Sequence, residues 1–288
     1  MPAPITEEEW IEVDSRRINC LRSSAPGMPV VFLHGVTRRW QSFLPLLSGL
    51  TPRWQTFAID FRGHGLSDRT PGEYRVVDYV PDVVKLLKRL EEPAVVYGHS
   101  LGAMVAAAVA AQVPDAVRAL VMEDPPFETL GSRLRETTWY SFFEGVQSLA
   151  GSSLPLPELA GAVANLQLVD PQTDRVFRVK DQRGAVSLRF AARCLSHLDP
   201  ETLAPLLSGR WMEEYNRTEI LRRITCPTLL LQADPSAGGM LIDTEAEEAE
   251  RLISDCIRIK LPETPHLIHW ERTQQTLGFL HAFLGSLD

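Results

Sequence analysis

The feature that most limits what this chain can become is Gly98-His99-Ser100-Leu101-Gly102, set between the apolar run Ala94-Val-Val-Tyr97 and the alanine-rich segment Leu101 to Gln112. The apolar run is short and continuous, as a strand buried on both faces must be, and the alanine-rich segment reads as a helix. A strand that becomes a helix within so few residues strains the residue at the turn and leaves no room for side chains two positions to either side. Gly98 and Gly102 meet that demand. Ser100 then stands exposed above the end of a sheet, at the start of a helix whose unpaired N–H groups favour developing negative charge. These are the conditions for a nucleophilic serine.

The surrounding pattern supplies the sheet. Trp10 to Val13 and Ile18 to Arg22 flank Asp14-Ser15 and read as a hairpin. Near-continuous apolar runs follow at Val30–Leu33, Thr56–Ile59, Ala94–Tyr97 and Ala119–Met122, with helical spacing between them at Trp40 to Leu50 and Tyr79 to Leu90. After Phe127 the rhythm breaks, and from Glu128 to about Thr225 only helical or irregular segments are predicted. It returns with strands at Thr228–Leu231 and Cys256–Leu261 and helices at Thr244–Ile253 and Thr273–Leu287. The expected architecture is an α/β core, residues 1–127 and 226–288, interrupted by a helical insertion, residues 128–225.

Composition removes several classes of function. Lys plus Arg is 29 against 37 Asp plus Glu, a net charge of -8, so the field repels phosphate backbones and nucleic acid is not an expected partner. Met1 to Trp10 has no basic and apolar leader pattern, and the longest apolar run, Ala103 to Ala111, is too short for a membrane span, so a soluble, cytoplasmic protein is expected. Cys20, Cys194, Cys226 and Cys256 have no pairing or ligand spacing and are expected to be buried, reduced thiols, with neither zinc nor disulfides.

A serine needs a base, and the base needs an orienting acid. Of the seven histidines, His34, His64 and His99 stand in turn motifs and read as structural, His197 lies in the insertion and His281 in the last helix. That leaves His266, after the last strand in Leu261-Pro-Glu-Thr-Pro-His266, with His269 three residues on. A metal reading of the two lacks a third ligand and the His-Glu-x-x-His pattern.

His34-Gly35, Asp60-Phe-Arg-Gly-His-Gly-Leu-Ser67, the Ser100 turn and His266-Leu-Ile-His-Trp-Glu271 together resemble the α/β-hydrolase fold family, in the right order and across nearly the whole core. The resemblance implies an eight-stranded, mostly parallel sheet with helices on both faces, a helical cap over the active site, and His266 as catalytic base. It implies an oxyanion hole from the N–H of Leu101 and one from Val36 or Gly35. Pro265 departs from the family, where most members have Gly before the histidine. Most members also place the acid after the seventh strand, where Leu231-Gln-Ala-Asp-Pro-Ser236 puts Ser236 at the expected position and Asp234 two residues early. The alternative is Asp124, after the sixth strand in Val121-Met-Glu-Asp-Pro-Pro-Phe127, the place used by one subclass of haloalkane dehalogenases and by zearalenone lactonases. Asp124 is preferred, with Asp234 the alternative acid.

The sequence thus predicts a serine hydrolase of a small carboxylic ester or lactone, working through an acyl-enzyme without metal or organic cofactor. Serine at position 100 argues against dehalogenase and epoxide hydrolase chemistry, which in these relatives needs a carboxylate nucleophile. Hydrolysis of a C–C bond or thioester, a cofactor-free haloperoxidase, and a slow receptor of the same fold are the alternatives. The segments Met122–Phe127 and Gly238–Asp243 faintly resemble the zearalenone-degrading lactonases. Trp139, Tyr140, Phe142, Phe143 and Trp211 are candidate pocket residues from the insertion, and Arg62, His64 and Asp68 are expected to brace their own loop.

Overall fold

A computed structural model describes residues 6–50 and 53–287; the first half of the stretch Met1 to Trp10, read as lacking a leader, lies outside them. The strands, in chain order, are β1 (Thr6–Val13), β2 (Arg16–Ser23), β3 (Pro29–Leu33), β4 (Gln55–Ile59), β5 (Ala94–His99), β6 (Val117–Glu123), β7 (Gln167–Val169), β8 (Val176–Arg178), β9 (Thr228–Gln232) and β10 (Cys256–Lys260). Eight form one sheet in the order β1-β2-β4-β3-β5-β6-β9-β10. The hairpin β1–β2 and the β2–β4 pair are antiparallel; every other neighbour pair in this sheet is parallel.

The central strands show why continuous apolar runs were needed. Along β3 and β5, Val31, Leu33, Ala94 and Val96 join one buried cluster, while Val30, Phe32, Val95 and Tyr97 join the other. Side chains alternate across a strand, so a sheet covered on both faces needs apolar residues at every position. Helices α1 (Leu44–Leu50), α2 (Val80–Leu87) and α3 (Leu101–Gln112) follow β3, β4 and β5. In α3 every residue from Leu101 to Ala111 is buried, which suits a helix that is apolar all round.

The segment 128–225 holds α4 (Thr138–Leu149), α5 (Leu156–Asn165), α6 (Ala185–Leu195), α7 (Ala204–Leu207) and α8 (Arg217–Arg222), with β7 and β8 as a separate two-stranded sheet. That hairpin corrects the expectation of no strand here. Each of its strands has three residues paired only to the other, too few to show a period of two in sequence. The segment is tied to the core by Asp199, whose amide donates to the Gly63 carbonyl at 2.8 Å and whose carboxylate accepts from Tyr74 Oη at 2.8 Å. Tyr215 Oη donates to the Met104 carbonyl at 3.0 Å. The chain closes with α9 (Asp243–Leu252), α10 (Ile268–Glu271) and α11 (Thr273–Gly285). Cys20, Cys194 and Cys226 are buried free thiols, whereas Cys256 corrects the expectation: it opens the edge strand β10 and is only half-buried. Among the described residues no helix is long and apolar enough to cross a membrane.

Candidate active site

The turn between β5 and α3 is held by close approach. A Cβ on Gly98 would lie 2.1 Å from the Gly102 carbonyl oxygen, and one on Gly102 would lie 1.9 Å from that of Leu33. Real Cβ atoms cannot occupy such positions, so both glycines are required by the way α3 sits on β5 and β3. Ser100 has φ +56° and ψ -120°, a strained conformation for a residue with a side chain, and its amide donates to the Glu123 carbonyl at 2.9 Å. Leu101 opens α3, where an amide has no carbonyl four residues earlier in the helix to bond.

The turn after β3 packs directly on this elbow. A Cβ on Gly35 would stand 3.0 Å from Ser100 Cβ and 2.9 Å from His99 Nδ1. The Arg38 amide donates to the Gly35 carbonyl at 3.1 Å, folding Val36 and Thr37 into a tight turn in which Thr37 has φ +66°. His34 donates from Nδ1 to the Gly35 carbonyl (2.8 Å) and accepts at Nε2 from the Phe61 amide (3.0 Å). His64 donates to the Arg62 carbonyl (3.0 Å) and accepts from the Thr37 amide (3.3 Å). Each ring thus uses one nitrogen as donor and one as acceptor, the pattern of a neutral imidazole. Burial pushes both down to about 3. Arg62 forks onto Asp82 at 2.8 and 2.7 Å, and Asp68 accepts from the Arg17 amide at 2.8 Å, so these residues brace the loop.

Asp124, immediately after β6, meets His266. Its Oδ2 accepts from His266 Nδ1 at 2.6 Å and from the Met240 amide at 2.7 Å, and its Oδ1 accepts from the amides of Ala233 (3.1 Å) and Leu241 (3.2 Å). Four donors converge on a carboxylate with no exposure, on a residue held at φ +46°. Since Nδ1 carries the proton donated to Asp124, His266 Nε2 is left as a base. Asp234 is elsewhere. It caps the turn 235–237, accepting from the Ser236 amide (2.9 Å) and hydroxyl (2.7 Å) and from the Glu263 amide (2.9 Å), and the Ser236 hydroxyl bond holds its carboxyl below the usual range. The structure brings Asp124, and not the alternative Asp234, to His266.

A second pair lies one residue away on each side. Glu123 accepts from His269 Nδ1 at 2.8 Å through both oxygens, from the His269 amide at 3.0 Å and from Tyr97 Oη, and all of it is sealed from solvent. Burial, with Glu123 beside it, raises the Tyr97 phenol well above its ordinary value, so it stays a donor. His99 sits between the two pairs, its ring 4.6 Å from His266 and 5.1 Å from His269. Burial and the neighbouring His266 hold it well below the ordinary imidazole value, so it is neutral, with Nε2 donating to the His266 carbonyl at 3.1 Å. His99, Glu123 and His269 form a group close enough to hold a metal ion, but the hydrogen bonds just given already use the Glu123 carboxylate and the His269 ring.

One cavity of about 830 Å³ joins these parts, lined by Gly35, Val36, Ser100 and His266 from the core and by Trp139 and Phe143 from α4. The Trp139 ring lies 6.0 Å from the His266 ring. Tyr140 and Trp211 are corrections to the expected pocket. Tyr140, next on α4 after Trp139, points away and stacks under Arg135, while Trp211 is buried beside a different hollow with its carbonyl bonded to the Val76 amide. Tyr140 leaves α4 about 100° round from Trp139, and at this position that turn carries its ring to Arg135 instead of the cavity. Sequence reasoning missed Arg38 and Arg183, which also line the cavity. Arg38 follows Val36 closely enough to be suspected; nothing in the local pattern singles out Arg183.

Residues 28–273 match a family described as the α/β hydrolase fold. A 2-(acetamidomethylene)succinate hydrolase of Mesorhizobium japonicum is 39% identical over 135 residues, 45% of this chain and 49% of that enzyme. The chain spans about half or less of the length of the curated relatives it matches. Among solved structures, an E-2-(acetamidomethylene)succinate hydrolase superposes with a TM-score of 0.72 at 22% identity, covering 98% of this chain and 100% of that one. The enol-lactonase of Burkholderia xenovorans superposes with a TM-score of 0.73 at 16% identity, covering 96% and 100%.

Proposed function

The chain belongs to the α/β-hydrolase fold family, and on that premise we propose that it is a serine hydrolase in which Ser100, His266 and Asp124 cleave a carboxylic ester or lactone. The observation that carries this reading is the 2.6 Å contact of Asp124 with His266 Nδ1, beside a strained Ser100 in the same cavity. His266 Nε2 takes the Ser100 proton as Oγ attacks the substrate carbonyl carbon, and Asp124 stabilises the imidazolium that forms. The amides of Leu101 and Val36, with Gly35 shaping the turn, receive the oxyanion. The imidazolium then protonates the leaving oxygen, and a water, deprotonated by the same nitrogen, hydrolyses the acyl-enzyme. The chain's own groups suffice for each proton transfer. Free thiols fit a cytoplasmic setting, with a small molecule as partner.

The test is labelling with a fluorophosphonate, followed by turnover of 4-nitrophenyl esters of rising chain length and a lactone panel. One adduct on the peptide holding Ser100, with turnover that disappears in Ser100→Ala, is expected. No adduct, or full activity in the alanine variant, defeats the reading. A second reading, hydrolysis of an amide-type C–N bond through the same groups, is favoured by the Mesorhizobium relative, whose named substrate carries an acetamido group. An acetamide-bearing compound placed in the same panel separates the two.

A further inference from the structure

Two arginines line the cavity with no acid paired to either guanidinium. Arg38, in the turn that carries Val36, is 8% exposed and lies with Cζ 5.8 Å over the Phe190 ring. Arg183, just before α6, lies with Cζ 4.9 Å over the Phe142 ring. Both line the cavity, and among the described residues no carboxylate comes within 4.0 Å of either, nor does any side-chain hydrogen bond reach them. Elsewhere the chain treats buried arginine differently. Arg62 has Asp82 and Glu73, and Arg217 has Glu128, Glu245 and Glu248. Arg39 also lacks an acid but does not line the cavity.

Burial lowers both groups, Arg183 to about 9, where the charge of Arg38 adds to the effect. A buried charge with no partner is costly, and two of like sign facing one space cost more. Two carboxylates do line the cavity, Asp170 and Glu271, but Asp170 is half-exposed and already accepts from the Gln172 amide and Thr173 hydroxyl, and Glu271 is exposed. Neither neutralises the arginines.

We propose that Arg38 and Arg183 form a carboxylate-binding subsite, so that the substrate of this hydrolase carries a free carboxylate besides the bond that is cleaved. The proposal rests on the cavity being the substrate site and deepens that reading. A guanidinium fork matches a carboxylate in geometry, and the aromatic faces behind the two groups hold them in place. Arg38 shares its turn with Val36, so a carboxylate drawn to it is drawn to the wall that faces Ser100.

Adipate is the probe. Calorimetry on Ser100→Ala and on the parent should show binding, weakened about tenfold or more by Arg183→Gln and by Arg38→Gln, the usual size of a lost charge-assisted contact. The parent should turn over 4-nitrophenyl hydrogen adipate with kcat/KM about tenfold above its methyl ester, and Arg183→Gln should erase that preference through the acid alone. Arg183 is half-buried and its side chain makes no hydrogen bond or ion pair among the described residues, so its variant should melt like the parent; Arg38→Lys, which keeps the charge, guards against misfolding at the buried position. Adipate that binds none of these proteins, or binds both glutamine variants as tightly as the parent, overturns the proposal. Binding does not need Ser100 chemistry, so an unlabelled Ser100 with arginine-dependent adipate binding would remove the serine-hydrolase reading and leave this one standing.

Discussion

Two carboxylate–histidine pairs stand side by side at the end of β6, and they are built from adjacent acids and from histidines three residues apart. Asp124–His266 faces the cavity, with the histidine side chain 11% exposed; Glu123–His269 is sealed, both side chains at 0%. Glu123 ends β6 while Asp124, at φ +46°, begins the turn after it, and the two neighbouring carboxylates reach different histidines. The pairing itself is therefore not the signature of chemistry. What separates them is access: the His266 ring lines the cavity together with Ser100, whereas His269 is sealed and its Nε2 meets the buried Ser42 hydroxyl at 3.3 Å. The sealed pair has the geometry of a brace: it fixes the loop after β10 to the sheet, and His99 fixes the His266 carbonyl from the other side.

The sharpest way to break this contrast is to disable the open pair. Ser100→Ala and His266→Ala should each lose about 10⁴ to 10⁶ in kcat, Ser100→Ala melting like the parent, and Asp124→Asn about 10⁴, because an amide cannot hold the imidazole in its working tautomer. Full activity in Asp124→Asn would strip the open pair of its role.

Disabling the sealed pair should move stability instead. His269→Ala leaves the buried Glu123 carboxylate with only the residue-269 amide and Tyr97 Oη as donors and should cost about 3 kcal/mol in denaturant unfolding, while kcat, measured well below melting, stays within about tenfold of the parent. A variant as dead as His266→Ala yet thermally intact would transfer the base to His269.

Acid should act on the histidines around the site. His34 and His64, at about 3, and His99, well below its ordinary value, are neutral when folded but take a proton near 6.5 when unfolded. Below about pH 6.5 the unfolded chain binds more protons, so each contributes stability that is full above that pH and lost at up to about 1.4 kcal/mol per unit as pH falls toward its folded value. Thermal melts from pH 7.5 to 5 check this; a melting point independent of pH over that range would mean the rings are not held neutral.

The smallest effect belongs to Asp234. Asp234→Asn should leave kcat near that of the parent and lower the melting temperature only slightly, since its side chain caps an exposed turn. If it alone is crippled while melting normally, the acid lies after β9 and the contrast between the two pairs at β6 loses its meaning.

The strained turn at Ser100 could be found in one dimension because its geometry is enforced locally: two glycines, a strand before and a helix after lie within nineteen residues of chain, Ala94 to Gln112. The alternating apolar runs likewise carried the sheet, since burial on both faces is written into each strand separately. The acid was different. Asp124 and Asp234 both stand in turns beside proline, and only the meeting of the Met240 and Leu241 amides with Asp124, 116 and 117 positions away in sequence, gives one of them the geometry of a partner for His266. The same holds for the wall of the cavity. Helical spacing placed Trp139, Tyr140 and Phe143 on one short segment, but which faces inward depends on how α4 is rotated against the core, and that is set by packing between segments far apart in the chain. Arg38 and Arg183, 145 positions apart by number, share a space only because the insertion folds back over the turn after β3. Local backbone and burial constraints act through neighbours in sequence and are legible there; convergence of polar groups acts through space, and the tertiary fold alone decides it.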